Sequence, residues 1–309
     1  MLNRRHIRIK VLQSLYSYFK ISEKDSTNSK KNFNNSLKNI ENLYLCLFVY
    51  TLGLRDYIGN FLENSKFKKL PSAQDLNPNT KFVNNRFLKL LQSLPSVKKA
   101  INDFSFLNNN ALYSDIYTDL LKLDDYQNYL NFKTDDFEQD KLFLIKIFSK
   151  FLIEHEHFHY LLNEQNIFWD DDLPFISSMV VKTIKDSNPK KIKLMKLFKD
   201  NDDKKFCLEL YEKTIINKEY YIDLISSKIN NWEIERVAEV DLLLMQMSLT
   251  EILEINDIPV KVTINEYIEI SKYYSTQKSK SFINGILDSL LFDLRHEGKI
   301  NKTGRGLIE

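Results

Sequence analysis

The sequence of 309 residues contains only six glycines, and none lies between Gly59 and Gly285. Tight β-hairpin turns and phosphate-binding loops need glycine, because their backbone adopts positive φ or approaches a phosphate closely. The 225 residues from 60 to 284 therefore cannot contain a dinucleotide-binding or P-loop motif, and neither motif occurs outside them. This scarcity excludes Rossmann and P-loop nucleotide enzymes, disfavours an all-β fold and predicts an all-α protein.

Cysteines and long apolar runs are equally scarce. Cys46 and Cys207 lie far apart within apolar helical patterns, which predicts two buried free thiols in a reducing compartment. The most apolar run, residues 43–54, is shorter than the roughly 20 residues that span a bilayer. The N-terminus is charged and amphipathic rather than signal-like. These features predict a cytoplasmic protein that does not enter a membrane.

The small net charge of +2 conceals an uneven distribution. Residues 1–20 carry +5 and residues 271–309 carry +3, so the 250 residues between them hold −6. A polyanionic partner is expected if the two ends meet in space. The alternative, that basic residues merely solvate a helix end, explains the charges equally well.

Apolar spacing predicts helices along most of the chain. We expect helices over residues 5–19 and 37–64, a polar loop over 21–36, and two or three helices over 96–165. The acids Asp170, Asp171 and Asp172 ahead of Pro174 predict a helix start. Helix breaks are expected at Pro71, Pro78, Pro95, Asn108–Asn110, Thr134–Asp136 and Ser187–Pro189.

The last hundred residues have the most regular pattern. Val237, Val240, Leu244 and Met247 predict one apolar stripe on a helix. A capping box is expected at Thr263 and Glu266, opening a helix that continues to about Tyr274.

A final helix is expected from Ser279 to His296. Its predicted buried residues are Phe282, Ile286, Leu290 and Leu294. Gly298 is expected to end it with a positive φ. Gly285 is expected to allow close helix packing, and Gly304-Arg305-Gly306 is expected to form a mobile basic tail.

Two motifs suggest metal sites. His155-Glu156-His157-Phe158-His159 matches H-E-x-x-H, in which two histidines one helical turn apart bind zinc. A third ligand at a family spacing is missing, so an ordinary amphipathic helix is the favoured interpretation. The run from Asp170 to Asp172 is better explained as N-terminal helix charge than as a cation site. We therefore predict no metal, no cofactor and no catalytic residues.

Three stretches together resemble one family. The first is RRHIRIKVLQSLY at 4–16. The second is WEIERVAEVD at 232–241, followed by LTEI at 249–252. The third is PVKVTINE at 259–266, followed by KY at 272–273 and SFINGILD at 281–288. In this order and spacing they resemble the bacterial transcription antitermination factor NusB over residues 4–19 and 203–295. The longer middle of the chain resembles the enlarged form of that family.

This resemblance implies an all-α fold of two helical subdomains with a helical insertion in the N-terminal half. We expect an N-terminal subdomain over 1–200, enlarged by an insertion of about 35–200, and a C-terminal subdomain over 201–309. The resemblance also implies binding of the boxA element of ribosomal RNA leader transcripts together with NusE, a small ribosomal subunit protein. RNA polymerase would be an indirect partner, and no catalysis is implied.

The resemblance also implies which residues meet each partner. The RNA-binding residues on the first helix would be Arg4, Arg5, His6, Arg8, Gln13 and Tyr16. Those near the last helix would be Lys278, Ser279, Lys280, Phe282 and Asn284. The NusE-binding residues would include Glu235, Arg236, Glu239 and Glu251. Tyr16 as a core residue is the favoured alternative, and a packing hydrogen bond is an equal alternative for Asn284.

Two other functions stay open at this point. One is a helical domain like that at the N-terminus of some RNA methyltransferases, although the chain has no glycine-rich turn for a methyl donor. The other is a helical scaffold that acts through the enlarged middle and does not bind RNA.

Overall fold

A computed structural model describes residues 2–20, 26–132, 136–166, 168–229 and 234–307. These residues form fifteen α-helices and four short 3₁₀ helices, and the only β-type pairings among them are two isolated bridges. The predicted all-α class is confirmed.

The α-helices are α1 (Arg4–Lys20), α2 (Ser26–Ser65), α3 (Ala73–Leu76), α4 (Arg86–Ser93), α5 (Pro95–Asp103), α6 (Asn110–Leu120), α7 (Asp124–Asn131), α8 (Phe137–Lys150), α9 (Glu156–Gln165), α10 (Trp169–Asp186), α11 (Asn201–Ile216), α12 (Lys218–Ser226), α13 (Glu239–Glu254), α14 (Val260–Tyr274) and α15 (Ser279–His296). The 3₁₀ helices are η1 (Ser105–Leu107), η2 (Leu152–Glu154), η3 (Ile234–Arg236) and η4 (Gly304–Leu307).

The chain divides into two compact units. Unit 1 comprises Met1–Leu37 and Leu197–Glu309, and unit 2 comprises Lys38–Lys196. The long helix α2 contributes its first part to unit 1 and the remainder to unit 2. Compactness is a different property from independent folding, so the predicted domain boundary at residue 200 stays a prediction.

Helix α13 is the centre of unit 1 and packs against α1, α11, α12, α14 and α15. It is buried on nearly every side from Leu243 to Ile252, so the predicted single apolar stripe is wrong. Two of its buried hydroxyls have backbone partners: the Ser248 hydroxyl donates to Leu244 O (2.7 Å) and the Thr250 hydroxyl to Gln246 O (3.0 Å).

The predicted capping box on α14 is also wrong. The helix begins at Val260 after Pro259, which places Thr263 inside it. The Thr263 side chain is fully buried and its hydroxyl donates to Glu251 Oε1 at 2.7 Å. The Thr263 hydroxyl therefore binds the carboxylate of Glu251 on another helix, instead of capping the backbone N–H groups at the start of its own helix.

Helix α15 has the predicted bounds, Ser279–His296. Gly298 has a φ of +65°. The N–H of Lys299 donates to Leu294 O (2.9 Å) and that of Gly298 to Arg295 O (3.1 Å), the two bonds of a Schellman motif, so the predicted glycine end is confirmed.

The predicted buried residues of α15 are confirmed for Leu290 and Leu294 and wrong for Phe282 and Ile286, which are half-buried. The other buried residues of the helix are Ser279, Ile283, Leu287 and Leu291. Gly285 faces open space, with no atom within 4 Å of the position a Cβ would take, so it does not bring two helices together. Beyond the helix, Thr303 N–H donates to Asn256 O (2.9 Å) and Gly306 is buried against that residue, so the expected mobile tail is packed.

Helix α2 begins at Ser26, inside the segment predicted to be a loop. The segment is polar overall, but Phe33 is buried and its ring stacks on Tyr211 at 4.1 Å between centroids. The Ser29 hydroxyl lies 2.9 Å from the Tyr211 hydroxyl. Packing against α11 thus supports a helix that the local composition does not favour.

In unit 2, α8 packs against α4, α7 and α10. A buried polar network joins α4, α7 and α8: Asn85 Oδ1 accepts from Leu88 N–H (3.0 Å), and Asp140 accepts from Arg86 N–H (2.7 Å) and the Tyr129 hydroxyl (2.6 Å). Among the described residues of the predicted range 96–165 there are five α-helices, α5 to α9, rather than two or three.

The acidic start of α10 and the break after Asp186 are confirmed. The predicted break at Thr134 and Asp135 lies outside the described residues. Cys46 and Cys207 are buried and free, as predicted. None of the helices in the described ranges is long and apolar enough to cross a membrane.

Candidate RNA-binding surface

The start of α1 is fixed by a side-chain cap from Asn3 and by a backbone hydrogen bond of Leu2. Asn3 Oδ1 accepts from the His6 backbone N–H (2.9 Å) and lies 2.7 Å from His6 Nδ1. Because this oxygen is an acceptor, the ring hydrogen sits on Nδ1. Leu2 N–H donates to Leu197 O at 2.8 Å. The arginines that follow therefore start from a defined position in unit 1.

His6 carries no charge at neutral pH. Burial, together with the nearby Arg5 and Lys10, lowers the pKa of His6 to about 4. Position 6 therefore adds no positive charge to the basic start of α1.

The first two arginines are ion-paired with acidic residues of unit 1. Arg4 Nε lies 3.1 Å from Asp203, and its Nη2 lies 3.7 Å from Asp257. Arg5 donates two hydrogen bonds to Glu266, of 2.8 and 2.7 Å, which raise the pKa of Arg5 and lower that of Glu266. Much of the basic charge counted along the sequence is thus neutralised locally.

Arg8 is fully engaged inside unit 1. Its guanidinium donates to Glu251 through Nε (2.8 Å) and Nη2 (2.6 Å), and both side chains are buried. The Glu251 carboxylate also accepts from the hydroxyls of Thr263 and Tyr267. Burial alone would lower the pKa of Arg8, but the attraction and hydrogen bonds of Glu251 outweigh burial and raise it.

This geometry corrects two sequence-based assignments. Arg8 has no accessible surface with which to contact RNA, and Glu251 has none with which to contact a protein partner. They form a bidentate pair that holds α1 against α13. The local sequence around Arg8 predicts a surface charge because the carboxylate partner lies 243 positions away in the chain.

The exposed side of α1 carries Gln13 and Tyr16. Gln13 accepts from Lys10 Nζ (2.9 Å) and donates to the Tyr274 hydroxyl (3.4 Å). Tyr16 is 40% exposed, with Lys20 Nζ 5.6 Å from its ring centroid, so the favoured core interpretation of Tyr16 is wrong. The contact between Gln13 and Tyr274 joins two segments that are 261 residues apart.

The junction between α14 and α15 supplies further aromatic and basic groups. Tyr273 is 82% exposed and Tyr274 is 37% exposed at the end of α14. Lys272, Lys278 and Lys280 are also exposed. The two tyrosines are not among the RNA-binding residues expected from the sequence, although two adjacent aromatic residues directly before a polar segment are a signal that identifies them.

The other predicted residues of this junction are less accessible. Ser279 is buried and its hydroxyl lies 2.8 Å from that of Thr276, so the expected contact of Ser279 with RNA is corrected. Phe282 is half-buried. Asn284 donates to Asp288 within the same helix at 2.7 Å, a bond that any base contact would have to replace.

The residues assigned to a protein partner are divided by burial. Glu235 and Arg236 lie exposed in η3, while Glu239 at the start of α13 is paired with Lys20 at 2.6 Å. Trp232 and Glu233 lie outside the described residues. Most of α13 is buried, so the exposed end near Glu235 is the accessible part of the surface predicted for the partner.

The H-E-x-x-H segment lacks the geometry of a zinc helix. His155 precedes α9, whereas His159 lies within it, and the two contact different carboxylates. His155 lies 3.8 Å from Asp119, His157 lies 2.7 Å from Asp115 and His159 lies 3.4 Å from Asp170. Across the described ranges, no cluster of three or more potential ligands is arranged to hold a metal ion.

The structure thus defines a class: an all-helical protein whose first helix packs into a C-terminal bundle and exposes aromatic, amide and lysine side chains at one end. Residues 178–292 match the model of the NusB family. They form a NusB-family domain within a chain larger than a typical member of that family.

Named relatives agree with this assignment. The transcription antitermination protein NusB of Salinibacter ruber is 44% identical over 99 residues, which cover 32% of this chain and 62% of that protein. The protein of the same name from Chloroherpeton thalassium is 46% identical over 85 residues, covering 28% and 40%. That of Clostridium botulinum is 44% identical over 75 residues, covering 24% and 56%.

The chain therefore spans less than two thirds of the length of each of these relatives. No solved structure matches it.

Proposed function

We propose that this protein is a non-catalytic RNA-binding transcription antitermination factor. It would bind the boxA element of ribosomal RNA leader transcripts together with NusE, and would reach RNA polymerase indirectly through that complex. The proposal implies action in the cytoplasm.

One observation carries the RNA part of the proposal. The hydrogen bond from Gln13 to Tyr274 unites the exposed side of α1 with the end of α14, inside a unit that contains most of the NusB-family domain. Aromatic faces beside lysines suit unpaired RNA, because bases stack on rings while lysines neutralise phosphates.

The proposed surface differs from the sequence-based list in its chemistry. Gln13, Tyr16 and Tyr274 would meet bases, and Lys278 and Lys280 would meet phosphates, with Phe282 and Asn284 at the edge. Arg5 would exchange part of its pairing with Glu266 for a phosphate, whereas Arg4 and His6 would contribute mainly by shaping the helix start. Glu235, Arg236 and Glu239 would meet NusE.

The test is fluorescence anisotropy with labelled boxA RNA and a scrambled RNA, each with and without NusE. Lys278→Ala with Lys280→Ala should weaken binding and reduce the slope of log K against log salt by about 1.4, since each phosphate contact of a single strand contributes about 0.7. The matched control is Lys204→Ala with Lys205→Ala on exposed positions of α11.

Equal binding of both RNAs would remove boxA from the proposal, and an unchanged slope would remove the α14–α15 junction. Absence of RNA binding with and without NusE would favour the alternative of a helical scaffold.

A further inference from the structure

Unit 2 contains a long basic stretch outside the two chain ends. Residues 66–99 include eight basic residues and a single acidic one, Asp75, which gives a net charge of +7. The matched family domain begins at residue 178, so this stretch lies outside it. The even charge balance of the chain as a whole conceals this segment.

Much of this charge is available to a ligand. Lys66 is paired with Glu63 and Lys68 with Asp75. In the part of the chain that the structure describes, no carboxylate pairs with four further cations of the stretch: Lys69, Arg86, Lys98 and Lys99. The arginines of α1 differ, since each of them has a carboxylate partner.

The turn after α2, residues 66–70, places two large apolar side chains beside Lys66, Lys68 and Lys69. Phe67 is 85% exposed and Leu70 is 92% exposed. The turn is nevertheless ordered: Phe67 N–H donates to Asn64 O (3.1 Å) and Lys68 Nζ lies 2.7 Å from Asp75. Asp75 is itself held in the capping box of Ser72.

Aromatic rings continue behind the turn. Lys68 Nζ lies 6.0 Å from the ring centroid of Phe61, which packs edge-on against Tyr117 at 5.3 Å. An exposed phenylalanine between lysines, set on a rigid turn, has the composition of sites that stack one base and neutralise the flanking phosphates.

We infer that the turn at residues 66–70 is a second site for single-stranded RNA, with Phe67 stacking on a base and Lys69 contacting a phosphate. Lys66 and Lys68 would exchange their pairing with Glu63 and Asp75 for the flanking phosphates. The inference rests on the proposed function for the source of the RNA, because a transcript held by unit 1 is present at high effective concentration for any other site on the same chain. The basic charge of the turn and the exposed Phe67 ring are observed whatever RNA the protein binds.

The test uses the full chain with Phe67→Ser and Lys69→Gln combined. Both side chains are exposed, so the variant should unfold at the same urea concentration as the parent. The matched control is Phe168→Ser with Lys182→Gln, an exposed aromatic and an exposed lysine elsewhere in unit 2. Three probes are compared: a boxA RNA of about 12 nucleotides, the same RNA extended to about 30, and oligouridine of about 30.

The variant should bind the extended RNA and the oligouridine about tenfold more weakly, with a salt slope lower by about 0.7, and should bind the short boxA RNA as the parent does. Unchanged binding of both long RNAs would overturn the inference. So would a variant that binds RNA normally but loses sedimentation with anionic phospholipid vesicles, since that result assigns the turn to a lipid surface.

The two proposals fail separately. Loss of boxA preference with a turn-dependent affinity for oligouridine contradicts the proposed function and supports the second site. Normal boxA binding with no effect of the turn variant on the long RNAs does the reverse.

Discussion

The buried pair of Arg8 and Glu251 yields the sharpest stability prediction. Glu251→Gln keeps the shape of the side chain but removes the negative charge beside a guanidinium that is only 2% exposed. The carboxylate accepts two hydrogen bonds from Arg8 and one each from Thr263 and Tyr267. Leaving one member of a buried pair uncompensated costs about 3–5 kcal/mol. Glu266 Oε2 lies 3.6 Å from Arg8 Nη1 and would still compensate part of the charge, so we expect the free energy of unfolding of unit 1 to fall by about 3 kcal/mol, the lower end of that range.

The measurement combines urea unfolding followed by circular dichroism with hydrogen exchange of α13 amides, which reports on unit 1 directly. Glu235→Gln, an exposed change of the same chemistry, is the control and should cost less than about 0.5 kcal/mol. Arg8→Met combined with Glu251→Gln should recover part of the loss, because both charges are then gone. The amide oxygen can accept from one of the two hydroxyls of Thr263 and Tyr267, and the amide NH2 can donate to the other.

A cost below about 1 kcal/mol for Glu251→Gln would refute the reasoning, since the buried charge would then be compensated in another way. A double variant less stable than Glu251→Gln alone would refute it as well.

The remaining predictions concern protonation and glycine. His6 should titrate by NMR with a pKa of about 4, so its contribution to stability is complete above its ordinary value of 6.5 and is lost as the pH falls towards 4; an apparent pKa near 6.5 would contradict this. Glu266 has a pKa below its ordinary value of 4.5, so its contribution is present above 4.5 and is lost as the pH falls through the lowered value; Glu266→Gln should remove that part of the acid dependence, measured by urea unfolding at several pH values. Gly285→Ala should raise the free energy of unfolding by up to about 1 kcal/mol, because the site is open and alanine favours a helix. Gly298→Ala should lower the free energy of unfolding by about 1 kcal/mol, because φ is positive at that position. Equal effects of the two substitutions in thermal unfolding would show that backbone conformation does not determine their sign.

The candidate surface could be predicted only in outline. Gln13, Tyr16, Lys278 and Lys280 were chosen from sequence and are accessible or partly accessible. Arg8, Ser279 and Glu251 were chosen on the same grounds and are buried. A motif shows which residue types recur, but whether an arginine faces solvent depends on a carboxylate supplied by another helix.

Features that depend on near neighbours along the chain could be predicted from the order of the amino acids. Glycine scarcity and apolar spacing predicted the helical class, the bounds of α15, the end of α14 and the glycine cap at Gly298, since these follow from interactions spanning a few residues.

Contacts between distant segments of the chain became visible only in the folded protein. The polar start of α2 is helical because it packs against Tyr211. Helix α13 is buried because other helices surround it, and the Thr263 hydroxyl binds Glu251 instead of capping its own helix. The basic end of α1 is also paired with carboxylates some 200 or more positions away. The reason is physical: burial and charge pairing depend on distance in space, and the order of residues along the chain does not contain that distance until the helices have packed.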